Sequence, residues 1–179
     1  MTDTIEELTF SPLGQRTQRS VIASLMARAL ANPDMISLAA GFTDNSFLPR
    51  GLIAAACARL LGEDADPAVL QYGTNQGRPG LRQAVAAWLS TFPGERELAA
   101  QADNVLITNG SQQALFLAIA ALCEPGDIVL VESPCYFVFL ELLRSQGVRP
   151  IALRTREDGR TDHAAIPAFI DELEQRGDR

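Results

Sequence analysis

Two short, nearly continuous apolar runs constrain the fold of this 179-residue chain more than any other feature of its sequence. They cover residues 104–108 and 127–132, and residues 113–123 between them are apolar on every side. Such runs are typical of strands buried on both faces, and a helix between two of them is the usual parallel crossover. The order repeats through residues 137–146 and 148–153. The sequence therefore predicts an α/β fold, with a mostly parallel sheet flanked by helices in three layers.

Apolar residues at helical spacing predict further helices on either side of these runs. The first covers residues 19–30, and an extended piece at 35–39 follows it. Another helix at 51–61 ends at Gly62, and a third begins near Pro79, with Leu81, Val85, Trp88 and Leu89 on one face. The last helix begins after Asp162, a candidate N-cap, and ends near Gly177.

The composition excludes several classes of function. A formal charge of −7 argues against binding to nucleic acid or anionic lipid, which need clustered positive charge. The three cysteines have spacings unlike those of metal sites, and their odd number favours reduced thiols, so we expect no metal and a cytoplasmic location. The acidic N-terminus does not resemble a signal peptide, and no apolar stretch is long enough to span a membrane.

The junction between the first apolar run and the helix after it has the features of an anion site. Gly110, Ser111 and Gln112 lie at this junction. The first N–H groups of a helix have no intrahelical partner and the helix dipole is positive there. Gly110 lets an anion approach the backbone closely, and the Ser111 hydroxyl is a further donor. The pattern predicts a phosphate site; the alternative is an ordinary helix start capped by Ser111.

An aromatic residue follows the second apolar run. Residues 133–136 have the sequence Ser-Pro-Cys-Tyr. Ligands of open α/β sheets bind at the carboxyl ends of the strands, so Tyr136 is placed to stack on a planar heteroaromatic ligand. The alternative is a tyrosine that packs at the start of a helix.

Three motifs, in this order, resemble the class I and II aminotransferases, pyridoxal-phosphate enzymes of the fold type that includes aspartate aminotransferase. The motifs are Tyr72-Gly73 with Gly77 and Leu81-Arg82, then residues 109–115 (Asn-Gly-Ser-Gln-Gln-Ala-Leu), then residues 132–136 (Glu-Ser-Pro-Cys-Tyr). The similarity is strongest to the branch with 2-aminoadipate and kynurenine-type aminotransferases, because residues 35–41 also resemble its N-terminal strand and glycine-bearing loop. The resemblance covers nearly the whole chain.

The resemblance implies a role for each matching residue in binding pyridoxal 5'-phosphate. Gly110, Ser111 and Gln112 resemble the loop that holds the cofactor phosphate, and Tyr136 resembles the aromatic residue that stacks on the pyridine ring. Tyr72 matches a tyrosine that in such dimers reaches the phosphate of the neighbouring subunit, although it could instead anchor its own turn.

The substrate side and the domain organisation also follow from the resemblance. Gly41 resembles the loop beside the substrate carboxylate, although it could simply supply a turn conformation. Residues 1–48 correspond to an N-terminal arm and small-domain segment, and residues 49–179 to the N-terminal part of the large, cofactor-binding domain. The implied partners are an amino acid, a 2-oxo acid and a second subunit in a homodimer.

The chain departs from the family in its basic residues, since all fifteen are arginine and none is lysine. The resemblance implies that the Schiff-base lysine, the partners of the pyridine ring and the carboxylate-binding arginine lie beyond Arg179. We therefore expect the N-terminal portion of an aminotransferase, without a catalytic residue of its own and inactive alone. His163, the only histidine, is interpreted as a solvated residue at a helix start.

Two other functions are compatible with the motifs. One is the cofactor- or amine-sensing module of a transcription regulator that uses the aminotransferase fold, and the other is a noncatalytic chain that pairs with an intact subunit. We also expect that the chain alone is unstable or aggregates, because in the family the strand at 104–108 is separated from the next two by strands contributed later in the chain.

Overall fold

The computed structural model describes residues 9–17, 20–32, 34–36, 38, 41, 43–92 and 101–178. These residues form two compact units. One combines the residues up to Asp34 with those from Asn109 onward, and the other covers Met35–Thr108. The expected division after residue 48 stays a prediction.

The first unit contains a parallel sheet of two strands. Strand β1, Ile128–Val131, pairs with β2, Arg149–Ala152, with Ile128 opposite Arg149 and Val131 opposite Ala152. The helices among the described residues of this unit are α1, Pro12–Arg16; α2, Val21–Leu30; α5, Gly110–Leu122; α6, Phe137–Ser145; and α7, Ile166–Gln175. Helix α7 follows a 3-10 turn at His163–Ala165. The α/β class predicted from the apolar runs is confirmed.

The core of this unit joins the sheet to the helices beside it. Ile119 of α5, Val131 of β1, Leu143 of α6 and Val148 are buried against one another, and Leu143 is 0% exposed. Burial of apolar side chains is the main stabilising contribution in a cluster of this kind. This core therefore fixes where α5 and α6 lie on the sheet.

Polar contacts attach the N-terminal helices to α6. The Arg16 guanidinium donates from Nε to the Ser145 carbonyl at 3.1 Å, and the Ser20 hydroxyl donates to Oε1 of Glu141 at 3.0 Å. Ser20 also caps α2, because its oxygen accepts from the Ala23 N–H at 3.2 Å. The start of α2 is thus held at a defined place on the surface of α6.

The described residues of the second unit form two helices and short 3-10 turns. Helix α3 covers Arg50–Leu61 and ends at Gly62, and α4 covers Pro79–Leu89, with Pro79 in its first turn, both as expected. The 3-10 turns are Asn45–Phe47, Pro67–Leu70 and Ala102–Asn104.

The buried residues of α4 are not those of its expected apolar face. Arg82 and Ala86 are the buried residues of this helix, while Trp88 is 60% exposed and Leu81 is also exposed. The reason is a polar contact, since Arg82 Nη1 donates to the Ala102 carbonyl at 2.9 Å and lies 3.3 Å from the Asp103 carboxylate. A buried arginine needs such acceptors, and helical spacing alone does not reveal them.

The expected strand at 104–108 does not form as a strand. Asn104 ends a 3-10 turn, and Val105 has extended backbone, but these residues do not pair in the sheet. The Ile107 N–H instead donates to the Gln76 carbonyl at 2.9 Å. A strand is defined by its ladder of hydrogen bonds, and an apolar run without a neighbouring strand does not make one.

The remaining elements follow the sequence with small shifts. The helix with apolar residues on every side, expected to be buried, is α5. Ile119 is its buried residue, and Leu122 is 82% exposed. Asp162 precedes the last helical segment without making a side-chain capping bond. The extended piece expected at 35–39 lies partly outside the described residues.

Candidate cofactor site

The predicted phosphate site lies at the start of α5. Gly110 has φ of +77°, and no atom lies within 4 Å of the place where its Cβ would be. Asn109, the N-cap residue, makes no side-chain capping bond, and its own N–H donates to Oε1 of Gln113 at 2.6 Å. Ser111 is exposed and Gln112 is half-buried. The amides of the first turn are therefore not capped by Asn109.

This arrangement suits a phosphate group. Glycine adopts a positive φ at little cost, and without a side chain it leaves space for a bulky anion beside the backbone. The amides of the first turn and the positive end of the helix dipole both favour negative charge. Ser111 adds a hydroxyl donor on an exposed position.

The predicted stacking residue lies at the start of α6. Tyr136 is its N-cap residue, and the Tyr136 carbonyl accepts from the Phe139 N–H at 3.0 Å. The ring is 56% exposed and its centroid lies 5.0 Å from that of Phe137, with the two planes tilted by 49°. The backbone of Tyr136 is thus fixed by the helix while much of its ring surface is open to a ligand.

The start of α5 and the start of α6 belong to the same compact unit. Helices α5 and α6 pack through Ile119 and Leu143, and the Gln146 side chain donates from Nε2 to the Phe116 carbonyl at 3.2 Å. Among the described residues, no hydrogen bond or ring contact joins Ser111 to Tyr136 directly. The unit therefore supplies both groups, and their joint role in binding a cofactor stays a prediction.

Tyr72 and Gly41 lie in the other unit. Tyr72 is 98% exposed, and its N–H donates to Oε1 of the neighbouring Gln71 at 2.9 Å. Gly41 is exposed with open space around its Cβ position. Such a tyrosine is free to contact another molecule, and the roles of both residues stay predictions.

The part of the chain that the structure describes shows neither a metal-binding cluster nor a membrane-spanning helix. No group of three or more His, Cys, Asp or Glu side chains is placed to hold a metal there. Within the same residues no helix has the length and apolar character needed to cross a membrane. His163 is exposed on its 3-10 turn, which agrees with its interpretation as a solvated residue.

A cleft beside the end of β1 was not predicted from the sequence. The cleft has a volume of about 480 Å³, and its lining includes Glu132, Ser133 and residues of a hairpin at 155–161. The Thr161 hydroxyl donates to Oε1 of Glu132 at 3.1 Å and ties the hairpin to the strand end. The Asp158-Gly159 pair, a common hairpin turn, was the local signal for this feature.

Comparison with known proteins identifies the family. Residues 33–178 match the family model described as aminotransferase class I and II, so the chain belongs to the class I and II aminotransferases. The family predicted from the three motifs is confirmed, and with it pyridoxal phosphate as the cofactor of the family.

Individual relatives agree with this assignment. The 2-aminoadipate transaminase of Thermus thermophilus is 35% identical over 144 residues, 80% of this chain and 34% of that protein. The crystal structure of LysN, an alpha-aminoadipate aminotransferase from the same species complexed with N-(5'-phosphopyridoxyl)-L-leucine, gives a TM-score of 0.70 at 31% identity, and covers 90% of this chain and 37% of that one. This chain thus spans about a third of the length of these relatives.

A protein of another class is also similar. The uncharacterized HTH-type transcriptional regulator YjiR of Escherichia coli is 38% identical over 87 residues, 49% of this chain and 18% of that protein. The aminotransferase-like sequence therefore occurs in regulators as well as in enzymes.

Proposed function

We propose that this chain supplies the phosphate-binding loop and the ring-stacking residue of a pyridoxal-phosphate-dependent aminotransferase. The complete protein would transfer an amino group between an amino acid and a 2-oxo acid. The observation that carries this proposal is the start of α5, where Gly110 has a positive φ, open space and no Asn109 side-chain cap over the first turn. The complex of LysN with a phosphopyridoxyl amino acid supports the choice of ligand.

The residues of this chain would bind and orient the cofactor. Ser111 would donate its hydroxyl hydrogen to a phosphate oxygen, and the first-turn amides of α5 would donate to the others. The Tyr136 ring would cover one face of the pyridine and exclude water from it. When bound, pyridoxal phosphate supplies an electron sink for breaking bonds at the α-carbon of the amino acid.

Amino-group transfer also needs a proton-transfer group that this chain does not carry in its lysine-free sequence. We propose that the chain is inactive alone and that residues from outside it complete the site. A homodimer of the complete protein, to which Tyr72 contributes its exposed side chain across the interface, fits the exposure of that residue. The proposed location is the cytoplasm.

Pyridoxamine phosphate is the ligand that tests the site in this chain. It carries the ring and phosphate without the aldehyde, so its binding requires no lysine. Its fluorescence allows a titration at micromolar protein, where we expect saturable binding. Ser111→Ala should weaken the affinity about tenfold, because a charge-assisted hydrogen bond to phosphate is lost.

The matched control is Ser90→Ala, since Ser90 lies in the other unit and donates to the Ala87 carbonyl of its own helix. Tyr136→Leu should weaken binding by a similar factor through loss of stacking, about tenfold. Absence of saturable binding by the natural chain, or equal affinity of the Ser111→Ala and Ser90→Ala variants, would refute the proposal.

The activity itself is tested on the complete protein, expressed recombinantly with its natural sequence and with Ser111→Ala. We expect amino-group transfer to a 2-oxo acid by the natural sequence, and loss of this activity in the Ser111→Ala variant. A complete protein that binds pyridoxal phosphate but never turns over any donor would contradict the enzymatic proposal.

A second candidate function is a sensing module of a transcription regulator, and the similarity to YjiR favours it. The acidic charge of −7 means that DNA binding would need a different part of such a protein. Sequence-specific DNA binding by the complete protein that depends on added pyridoxal phosphate would favour this alternative over the enzyme.

A further inference from the structure

The cleft beside the carboxyl end of β1 carries polar groups that the proposed aminotransferase function does not use. Its lining includes Arg156, Arg160 and His163 together with Ser133. Its volume of about 480 Å³ leaves room for a small molecule. All these residues belong to one compact unit, so the cleft does not depend on the other one.

The hairpin presents its two arginines from a fixed backbone. The Arg156 N–H donates to the Arg160 carbonyl at 2.8 Å, and the Gly159 N–H donates to the Arg156 carbonyl at 2.9 Å. An antiparallel bridge between Thr155 and Thr161 closes the hairpin. Because this backbone is already ordered, binding of a ligand by the arginines costs side-chain entropy but little backbone entropy.

The two guanidinium groups are only loosely neutralised. The Asp158 carboxylate lies 3.8 Å from Nε of Arg156 and 4.0 Å from Nε of Arg160, beyond hydrogen-bond distance. Its Oδ1 already accepts the Arg160 N–H at 3.0 Å, a bond that shapes the turn. Exposed ion pairs of this geometry interact weakly, so both guanidinium groups keep donors for another partner.

We propose that this cleft binds a small oxyanion, a phosphate or a carboxylate, between Arg156 and Arg160 with His163 beside it. Arginine forks match the geometry of such oxygens, and the Ser133 hydroxyl in the cleft lining is a further donor. Glu132 opposes the ligand by its charge, although its Oε1 is occupied by the Thr161 hydroxyl. Binding of an anion therefore requires that its attraction to Arg156 and Arg160 exceed its repulsion from the Glu132 carboxylate.

Two substitutions should therefore change the affinity for phosphate in opposite directions. Arg156→Gln should weaken phosphate binding about tenfold, because a charged donor is lost. Glu132→Gln should tighten it about threefold, because the like charge is removed while an oxygen remains to accept from Thr161. Arg28→Gln is the matched control, since Arg28 is exposed on α2 and does not line the cleft.

His163 is a selective reporter because it is the only histidine of the chain. Its modification by diethyl pyrocarbonate, located by mass spectrometry, is followed at micromolar protein with increasing inorganic phosphate or malonate. Sodium chloride at equal ionic strength is the control for screening. We expect saturable protection of His163, and whichever anion protects at lower concentration identifies the preferred source.

Three results would overturn the inference: protection equal to that by sodium chloride, equal protection of the Arg156→Gln and Arg28→Gln variants, or weaker binding after Glu132→Gln. The last would mean that Glu132 supports anion binding, through its bond to Thr161, and does not oppose the ligand by its charge. Circular dichroism checks the fold of each variant, and Arg160→Gln replaces Arg156→Gln if the latter unfolds. Ser111 does not line the cleft, so Ser111→Ala should leave the protection of His163 by inorganic phosphate unchanged, and the two proposals can fail separately.

Discussion

Replacing Gly110 by alanine tests the backbone geometry on which the phosphate site depends. Gly110 and Gly126 both have positive φ, at +77° and +106°, and at both an added Cβ would meet no atom within 4 Å. An alanine at either position therefore causes no clash and costs only backbone strain, about 1–2 kcal/mol. Gly126 lies in the turn between α5 and β1, so it is a control for strain without ligand contact.

The two variants should lose similar free energies of unfolding and differ in ligand binding. At Gly110 the new methyl group occupies the open space that a phosphate would enter, and the strain pulls the first turn of α5 away from its present geometry. We expect pyridoxamine phosphate to bind Gly110→Ala at least about tenfold more weakly, equivalent to about 1.4 kcal/mol. Gly126→Ala should bind it with nearly natural affinity.

Urea denaturation followed by circular dichroism gives the free energies of unfolding, and fluorescence of pyridoxamine phosphate gives the affinities. Both methods work at micromolar protein. If Gly110→Ala loses stability like Gly126→Ala and yet binds the ligand as the natural chain does, the first turn of α5 does not hold the phosphate. The reasoning from positive φ to function would then be wrong.

Three further predictions concern stability. Leu143→Ala should lower the free energy of unfolding by about 2–5 kcal/mol, because Leu143 is 0% exposed. Leu122→Ala, at an 82% exposed position, should change it by less than about 0.5 kcal/mol. Equal losses of both variants in urea denaturation would contradict the assigned core. The pKa of Asp44 is held below its usual value by hydrogen bonds from the Ser46 backbone N–H and side chain. Stability from this carboxylate is therefore present above its unfolded pKa and lost as pH falls through its folded pKa, so the advantage of the natural chain over Asp44→Asn should vanish in acid unfolding experiments. Exposed apolar side chains on both units, Trp88 and Leu122 among them, should cause the chain to self-associate above the micromolar concentrations of the binding and unfolding assays, and light scattering that shows a monodisperse monomer at higher concentration would contradict this.

The elements that the sequence predicts well are those specified by neighbouring residues. Helix α4 begins at Pro79, and α3 ends at Gly62, because these residues act on the adjacent backbone. The pairing of β1 with β2 also follows, since a helix between two apolar runs commonly returns the chain to a parallel neighbour. The run at 104–108 is similarly apolar, yet it pairs with no strand among the described residues.

The same distinction explains which parts of the candidate sites were predicted. Gly110 and Tyr136 each stand at the start of a helix that follows an apolar run, so their positions depend on local order and the sequence indicates both. The cleft depends on a hydrogen bond between Thr161 and Glu132, 29 residues apart, and on the approach of a hairpin to a strand end. The pattern and spacing of the sequence do not specify this contact, because many other residues of the chain could donate a hydrogen bond to Glu132. A local motif can therefore identify the family and indicate a candidate cofactor loop, whereas a cleft formed by distant residues becomes visible only when the chain is folded.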